Sequence, residues 1–304
     1  MTSDYIDANR ANWNERATLH AARDGSGYGI ARYIDDADAL SDVVRFDRPL
    51  LGDISGKRTA HLQCHIGTDT LSLARLGATV TGLDFSENAV VEARRLAADA
   101  GVDVEFVQAD VRDAADVLPR GSFDLVYTGI GALCWLPSIS EWAGVVAELL
   151  APGGTLHIRE GHPVLWAMNE DLPGLSLAFP YFEQTIPLEW DDDGTYVEVA
   201  APLKSTRTYE WNHGLGEIVT ALLERGLRLD TLVEHDSVPW EALPGRMTLR
   251  NNGEYALTGQ PSVMPLSYTI RATKAAKGSA GVNSVQSDLP LRRDSAPEDR
   301  RTWR

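Results

Sequence analysis

The stretch from Thr59 to Asp110 most constrains what this chain can fold into, because short apolar runs alternate there with helical ones. It opens with Arg58-Thr59-Ala60-His61-Leu62-Gln63-Cys64 and turns at His65-Ile66-Gly67. A helical run from Asp69 to Leu76 follows, closed by Gly77. An apolar strand, Thr79 to Leu83, ends on Asp84, and a second helix, Ser86 to Ala100, stops at Gly101. A third strand, Val104 to Ala109, ends on Asp110. Ser86 is a good N-cap because its hydroxyl can accept from an otherwise unpaired backbone N–H; Gly77 and Gly101 are good stops because glycine enters the left-handed region without penalty. Strands this apolar are expected where helices cover both faces of a sheet. Strand–helix–strand connections are right-handed, so the three strand tips should share one edge. The expected fold class is α/β, doubly wound and mostly parallel. Asp84 and Asp110 then sit at neighbouring tips beside a tight turn, where open α/β sheets bind nucleotide-like ligands.

The turn limits which ligand that is. A dinucleotide site wants G-x-G-x-x-G and a phosphate loop wants G-x-x-x-x-G-K-[ST], so that backbone N–H groups can nest phosphates. Gln63-Cys64-His65-Ile66-Gly67 offers one glycine, and neither pattern is present. A carboxylate at the second strand tip can take both hydroxyls of a ribose, and a side chain at the third can accept from an adenine amino group. A ribose and an adenine without a pyrophosphate point to an adenosyl ligand.

His61 to Gly67, Thr81-Gly82-Leu83-Asp84-Phe85-Ser86, Gln108-Ala109-Asp110-Val111, Phe123 to Thr128 and Leu150-Ala151-Pro152-Gly153-Gly154-Thr155-Leu156 resemble the ordered motifs of class I S-adenosylmethionine-dependent methyltransferases. The resemblance is close over residues 58–162 and looser over the run Trp211–His235 and the strand Leu266–Thr273, which would form the family's closing hairpin. It implies a seven-stranded sheet with helices on both faces, and S-adenosylmethionine as cofactor. It implies that Asp84 binds the ribose, that Phe85 packs on the adenine, that Asp110 accepts from its amino group, and that the Val111 backbone donates to the ring. Gln63, Cys64 and Gly67 would line the methionine part; Thr128 and Gly129 would flank the cofactor and face the substrate. The chain departs from the pattern at His61, where an acidic residue is usual, and at Gln63 and His65, where glycines are usual.

Plainer readings stand beside these. Asp84 and Asp110 could simply cap the elements that follow. Cys64 and Cys134 read as small core residues, with no adjoining Lys or Arg to make a reactive thiolate. His61 and His65 lie on a strand and a turn, where they do not share a face as two helical ligands would, so no metal site is expected. At 304 residues the chain can hold one large domain with an insert, or a domain and a tail. A net charge of −16 argues against nucleic acid and against an anionic membrane surface, both of which need a basic patch. Two cysteines make no disulfide framework, the polar start Met1-Thr2-Ser3-Asp4-Tyr5 predicts no signal peptide, and no apolar run is long enough to span a bilayer. A cytoplasmic monomer or homodimer is expected.

Residues 1–57 should form a helical lid, 58–274 the main domain, about 163–209 a β-rich insert after the fifth strand, and 275–304 a flexible polar tail. In the lid, Trp13, Arg16 and His20 share a stripe at helical spacing, and Trp13 reads either as a cofactor-covering residue or as a packing anchor. Asp192-Asp193-Gly194 predicts a hairpin between strands near 185–190 and 195–200. Catalytic candidates are His162, which follows the fifth strand and has a near-neutral intrinsic pKa, and His213; each could equally be structural. Tyr127, Trp135 and Trp166 are the candidate substrate-binding residues. These features predict methyl transfer to an oxygen or nitrogen of a small molecule, such as a secondary metabolite. The rival readings are a cofactor-binding regulator without catalysis and a nicotinamide-dependent oxidoreductase, the latter lacking the glycine fingerprint.

Overall fold

The computed structural model describes residues 2–197 and 202–276. Three helices lead: α1 (Thr2–His20), α2 (Ala31–Asp35) and α3 (Asp42–Leu51). The alternating unit follows as β1 (Arg58–Leu62), α4 (Thr68–Arg75), β2 (Thr79–Asp84), α5 (Glu87–Asp99), β3 (Glu105–Gln108), α6 (Ala114–Val117), β4 (Phe123–Thr128), α7 (Ile139–Leu149) and β5 (Leu150–Gly161). Beyond it come α8 (Pro163–Trp166), β6 (Leu188–Asp191), β7 (Arg207–Glu210), α9 (Leu215–Glu224), β8 (Leu227–His235), β9 (Met247–Leu249), β10 (Tyr255–Leu257) and β11 (Ser267–Lys274). The main sheet has seven strands in the order β3-β2-β1-β4-β5-β11-β8. β1 to β5 run parallel, and β11 runs antiparallel to both of its neighbours.

Local chemistry explains the elements. Ser86 Oγ accepts from Ala89 N at 3.1 Å and starts α5; Ser41 Oγ accepts from Val44 N at 3.1 Å and starts α3. Gly77 and Gly101 take φ of 92° and 66° after α4 and α5, as helix stops do. One sheet face packs Val126, Leu156, Ile158 and Ile270 against Trp142 and Val146 of α7 and Ile218 and Leu222 of α9. The other packs Val80, Leu125 and Tyr127 against Val44 and Leu51 of α3 and Leu73 of α4. Gly67 is obligatory: its φ is +80°, and a Cβ there would stand 2.9 Å from Ala93 Cβ and from Phe106 Cζ.

Two expectations are corrected. The turn at residues 192–194 does not join strands 185–190 and 195–200. β6 pairs instead with β7, Leu188 opposite Glu210 and Asp191 opposite Arg207, because the chain runs on past the turn before it returns. Residues 198–201, and the tail from 277 onward, lie outside the described residues. Tyr127 does not face a substrate. It is fully buried, and its hydroxyl donates to Asp47 Oδ2 of α3 at 2.6 Å while its ring stacks on His157. On a strand covered on both faces, alternation sends Tyr127 under α3 and leaves Thr128 at the tip.

Candidate active site

The site is built around Asp84. Asp84 is buried at the end of β2; His65 N donates to its Oδ2 at 2.8 Å and Ser86 N donates to its Oδ1 at 2.9 Å. These bonds tie the β1–α4 turn to the β2 tip. Burial raises the Asp84 carboxyl to about 6, against the pull of the N–H donors. Each oxygen keeps acceptor capacity for a further donor. Phe85 follows, with the Arg10 guanidinium 5.8 Å from its ring centre. At the next tip Asp110 is clamped by Arg112, whose Nε and Nη2 donate at 3.0 and 2.8 Å and whose backbone N donates at 2.9 Å. Burial works to raise this carboxyl, but the Arg112 bonds hold it below the usual range. Val111 is buried beside it.

The turn keeps a glycine-like backbone with bulkier residues. Gln63 and His65, at φ of 56° and 49°, are the only non-glycine residues of positive φ among the described residues. Gln63 Nε2 donates to Ala132 O at 2.8 Å, while its Oε1 is buried without a partner. Thr128 is likewise buried, with an unpartnered Oγ1, at the tip of β4. A Cβ on Gly129 would lie 3.2 Å from Asp69 Oδ2, so the chain runs close over α4 there. Cys64 and Cys134 are buried, and burial pushes both thiols well above their ordinary range.

α1 closes over this turn. Trp13 packs edge-on against His65 (centroids 5.1 Å apart) and against Trp135 (5.2 Å). His20 Nδ1 lies 2.8 Å from His65 Nε2, and His20 Nε2 lies 2.8 Å from Thr195 Oγ1. Burial pushes His20 to about 2 and His65 to about 3, so both rings are neutral and the proton donors run one way along the chain. Tyr28 and Tyr196 share a hydroxyl–hydroxyl bond beside them. Further along α1, the Asn9 amide pairs both ways with the Tyr209 backbone at 2.8 Å, Asn12 Nδ2 donates to Ser205 O at 2.6 Å, and Glu15 accepts from Lys204 N and Ser205 N. Helix and insert are therefore zipped together.

The loop after β4 is fixed by a residue the sequence reading left without a role. Glu160, buried on β5, accepts from the backbone N–H of Gly131, Ala132, Leu133 and Gly161 at 2.6 to 2.8 Å. A lone carboxylate before Gly-His-Pro was the only signal for it. The loop carries Trp135, whose Nε1 donates to Gly131 O at 3.0 Å.

Both histidine candidates are corrected to structural roles. His162 N-caps α8: its Nδ1 accepts from Val164 N at 3.1 Å, which leaves Nε2 to donate to Glu234 at 3.0 Å. His213 is buried with Nδ1 2.9 Å from Glu183 Oε2 and Nε2 3.0 Å from Leu133 O. With every ring nitrogen committed to a fold contact, neither offers a free lone pair to a reacting group. Trp166 stacks on Trp240 at 5.7 Å, in the cover formed by α8 and residues 236–266.

Residues 60–156 match the model of a family described as "Methyltransferase domain". The chain is 28% identical over 146 residues to a ubiquinone biosynthesis O-methyltransferase of Shewanella pealeana, covering 48% of this chain and 59% of that protein. It is 36% identical over 106 residues to one of Xanthomonas euvesicatoria, covering 35% and 44%. The matched stretches thus span about half the length of these curated relatives. In fold it is similar to a putative S-adenosylmethionine-dependent methyltransferase from Listeria monocytogenes, with a TM-score of 0.55, 19% identity, and 79% of this chain and 99% of that one covered. A second, from Mesorhizobium loti, gives 0.52 at 21% identity, covering 79% and 100%.

Proposed function

We propose, from the premise that this chain carries a class I S-adenosylmethionine-dependent methyltransferase domain, that it transfers a methyl group to an oxygen or nitrogen of a small-molecule acceptor. The observation that carries the small-molecule choice is the zipper between α1 and the insert. Five residues of α1 and its following loop (Asn9, Asn12, Glu15, His20 and Tyr28) bond to residues 195–209, closing the turn and its surroundings against macromolecules. The three N-terminal helices act as the lid and residues 163–209 as the acceptor-side cover.

The donor groups fit S-adenosylmethionine. Asp84 has acceptor capacity left for two ribose hydroxyls, and Gln63 Oε1 and Thr128 Oγ1 are buried polar atoms awaiting partners at adjacent tips. Phe85 and Val111 supply the apolar walls for the adenine, and Asp110, oriented by Arg112, accepts from its amino group. When bound there, the cofactor supplies an electrophilic methyl group. The residues around it orient and exclude water: Trp13 and Trp135 form the wall, Gly129 allows close approach, and Glu160 holds the loop in register. Alignment of the two reactants accounts for much of the acceleration in such a displacement. Among the described residues no helix is long and apolar enough to cross a membrane, and we place the reaction in the cytoplasm, in a monomer or homodimer.

Two measurements test this reading. Incubation with methyl-labelled cofactor and a cell extract should move label into the small-molecule fraction; label found only in macromolecules, or nowhere, contradicts it. The second uses pH. Ribose hydroxyls bond more strongly to the ionised Asp84 carboxylate than to its protonated form, so lowering the pH through about 6 should weaken binding. S-adenosylhomocysteine affinity should fall about tenfold between pH 7 and pH 5, and Asp84→Asn should remove that dependence. Calorimetry across this range checks it, and a flat profile in the unaltered protein would be inconsistent with the assigned role of Asp84.

A further inference from the structure

We propose that the cleft between α3 and the cover of residues 236–266 is a second small-molecule site, separate from the crevice of the methyl donor, and that it takes a neutral aromatic ligand bearing a carbonyl acceptor. The cleft has a volume of about 550 Å3, ample for a two-ring ligand. Phe46 of α3, His235 at the end of β8, Arg250 and Asn252 after β9, and Met264 before β11 stand around it. β8 is an edge strand, four places along the sheet from β1. At the usual strand spacing its tip is about 19 Å from the tip of β1. No residue assigned to the methyl donor borders the cleft.

The polar groups left for a ligand are N–H donors. His235 Nε2 lies 2.8 Å from Thr269 Oγ1. Thr269 is buried and its hydroxyl has no other partner among the described residues, so it donates to Nε2 and the ring proton sits on Nδ1. Burial, and then the Arg159 charge, lower the His235 imidazole against the pull of the Asp47, Glu254 and Asp236 carboxylates, which keeps the ring neutral at pH 7. Asn252 Oδ1 accepts from Glu254 N at 3.2 Å, which orients the amide and leaves Nδ2 to donate elsewhere. The ionised groups cancel in pairs. Arg250 Nη1 and Nη2 donate to Asp236 at 2.8 Å each, and Arg159 is bonded twice to Glu254. Glu234 also borders the cleft, but alternation along β8 turns its side chain to the opposite face from His235, where it accepts from His162. Donors without net charge suit a carbonyl oxygen; a carboxylate or an ammonium would leave water there without a counter-charge. Phe46 supplies a fixed apolar wall, with the Arg159 guanidinium 3.5 Å from its ring centre and His235 edge-on at 5.1 Å. Met264 adds an adaptable apolar contact.

The test uses three probes with one ring system and different charge: indole-3-acetamide, indole-3-acetate and tryptamine. In calorimetry with the whole chain, the amide should bind with a dissociation constant below about 1 mM, and the acid and the amine at least about fivefold more weakly. Asn252→Asp can still accept from Glu254 N but offers the ligand a carboxylate in place of a donor. It should weaken the amide about tenfold and strengthen tryptamine. His235→Leu should weaken the amide about fivefold. Both variants should keep S-adenosylhomocysteine affinity within about twofold, and saturating S-adenosylhomocysteine should not displace the amide. Amide binding weaker than about 1 mM, equal affinity for all three probes, a preference for the acid or the amine, unchanged affinity in both variants, or displacement by S-adenosylhomocysteine would each overturn the inference. Silence toward S-adenosylhomocysteine alone would sink the donor reading and leave this site to be decided by the probes and the two variants.

Discussion

Replacing Asp84 with alanine is expected to weaken S-adenosylhomocysteine binding about a hundred-fold. Hydrogen bonds to a charged group contribute about 1.5–3 kcal/mol each, so losing two from the ribose places the effect at that size even after partial rehydration. Asp84 also holds the turn through His65 N, and a loosened turn would weaken any ligand. 2′,3′-Dideoxyadenosine separates the two causes, since it lacks the two ribose hydroxyls assigned to Asp84. Its affinity should be nearly the same in the variant and the parent. A matching loss for both ligands would assign Asp84 to the turn alone.

The largest stability effect should come from the far end of the sheet. Arg159 and Glu254 are both fully buried and joined by two bonds, Nη1 to Oε1 at 3.1 Å and Nη2 to Oε2 at 2.6 Å. The guanidinium also lies 3.5 Å over the Phe46 ring and reaches Ser267 Oγ at 3.3 Å. The pair thus fastens the cover built from residues 236–266 to the sheet beneath α3. Glu254→Ala leaves a buried cation alone, which costs about 3–5 kcal/mol. The midpoint of thermal unfolding should fall by roughly 10 °C in a chain of this size. The double variant Arg159→Met with Glu254→Leu should recover most of the loss, because it removes both charges and fills the space. A single variant that unfolds within about 2 °C of the parent would show that the pair does not hold the cover.

The parts of this architecture that were legible in the sequence are those set by short-range chemistry. Ser86, Gly77 and Gly101 mark helix ends through their own caps, and the apolar strands between them leave little choice of fold. The acidic strand tips were legible for the same reason, each standing where a strand ends and a helical turn begins. What was hidden depends on distant partners. Tyr127 sits on a strand whose two faces are both apolar, so periodicity could not say that its hydroxyl goes to Asp47, eighty residues away. The Asp192-Asp193-Gly194 turn is real in chemistry, since Gly194 N donates to Asp192 Oδ1 at 2.8 Å, but β6 chose a partner beyond it. His162 and His213 stand near the expected edge, yet local geometry spends one on a helix cap and the other on Glu183 and Leu133. The stripe of Trp13, Arg16 and His20 could be seen; that His65 would be its target could not, because nothing local links the two segments.

The central claim is that the crevice at the tips of β1 to β4 accepts an adenosyl amino acid. Titration of the unaltered protein with S-adenosylhomocysteine and, separately, with NAD tests it most directly. Saturable one-to-one heat is expected for the first in the micromolar range, and none for the second at the same concentrations. Binding of NAD with silence toward S-adenosylhomocysteine would contradict it.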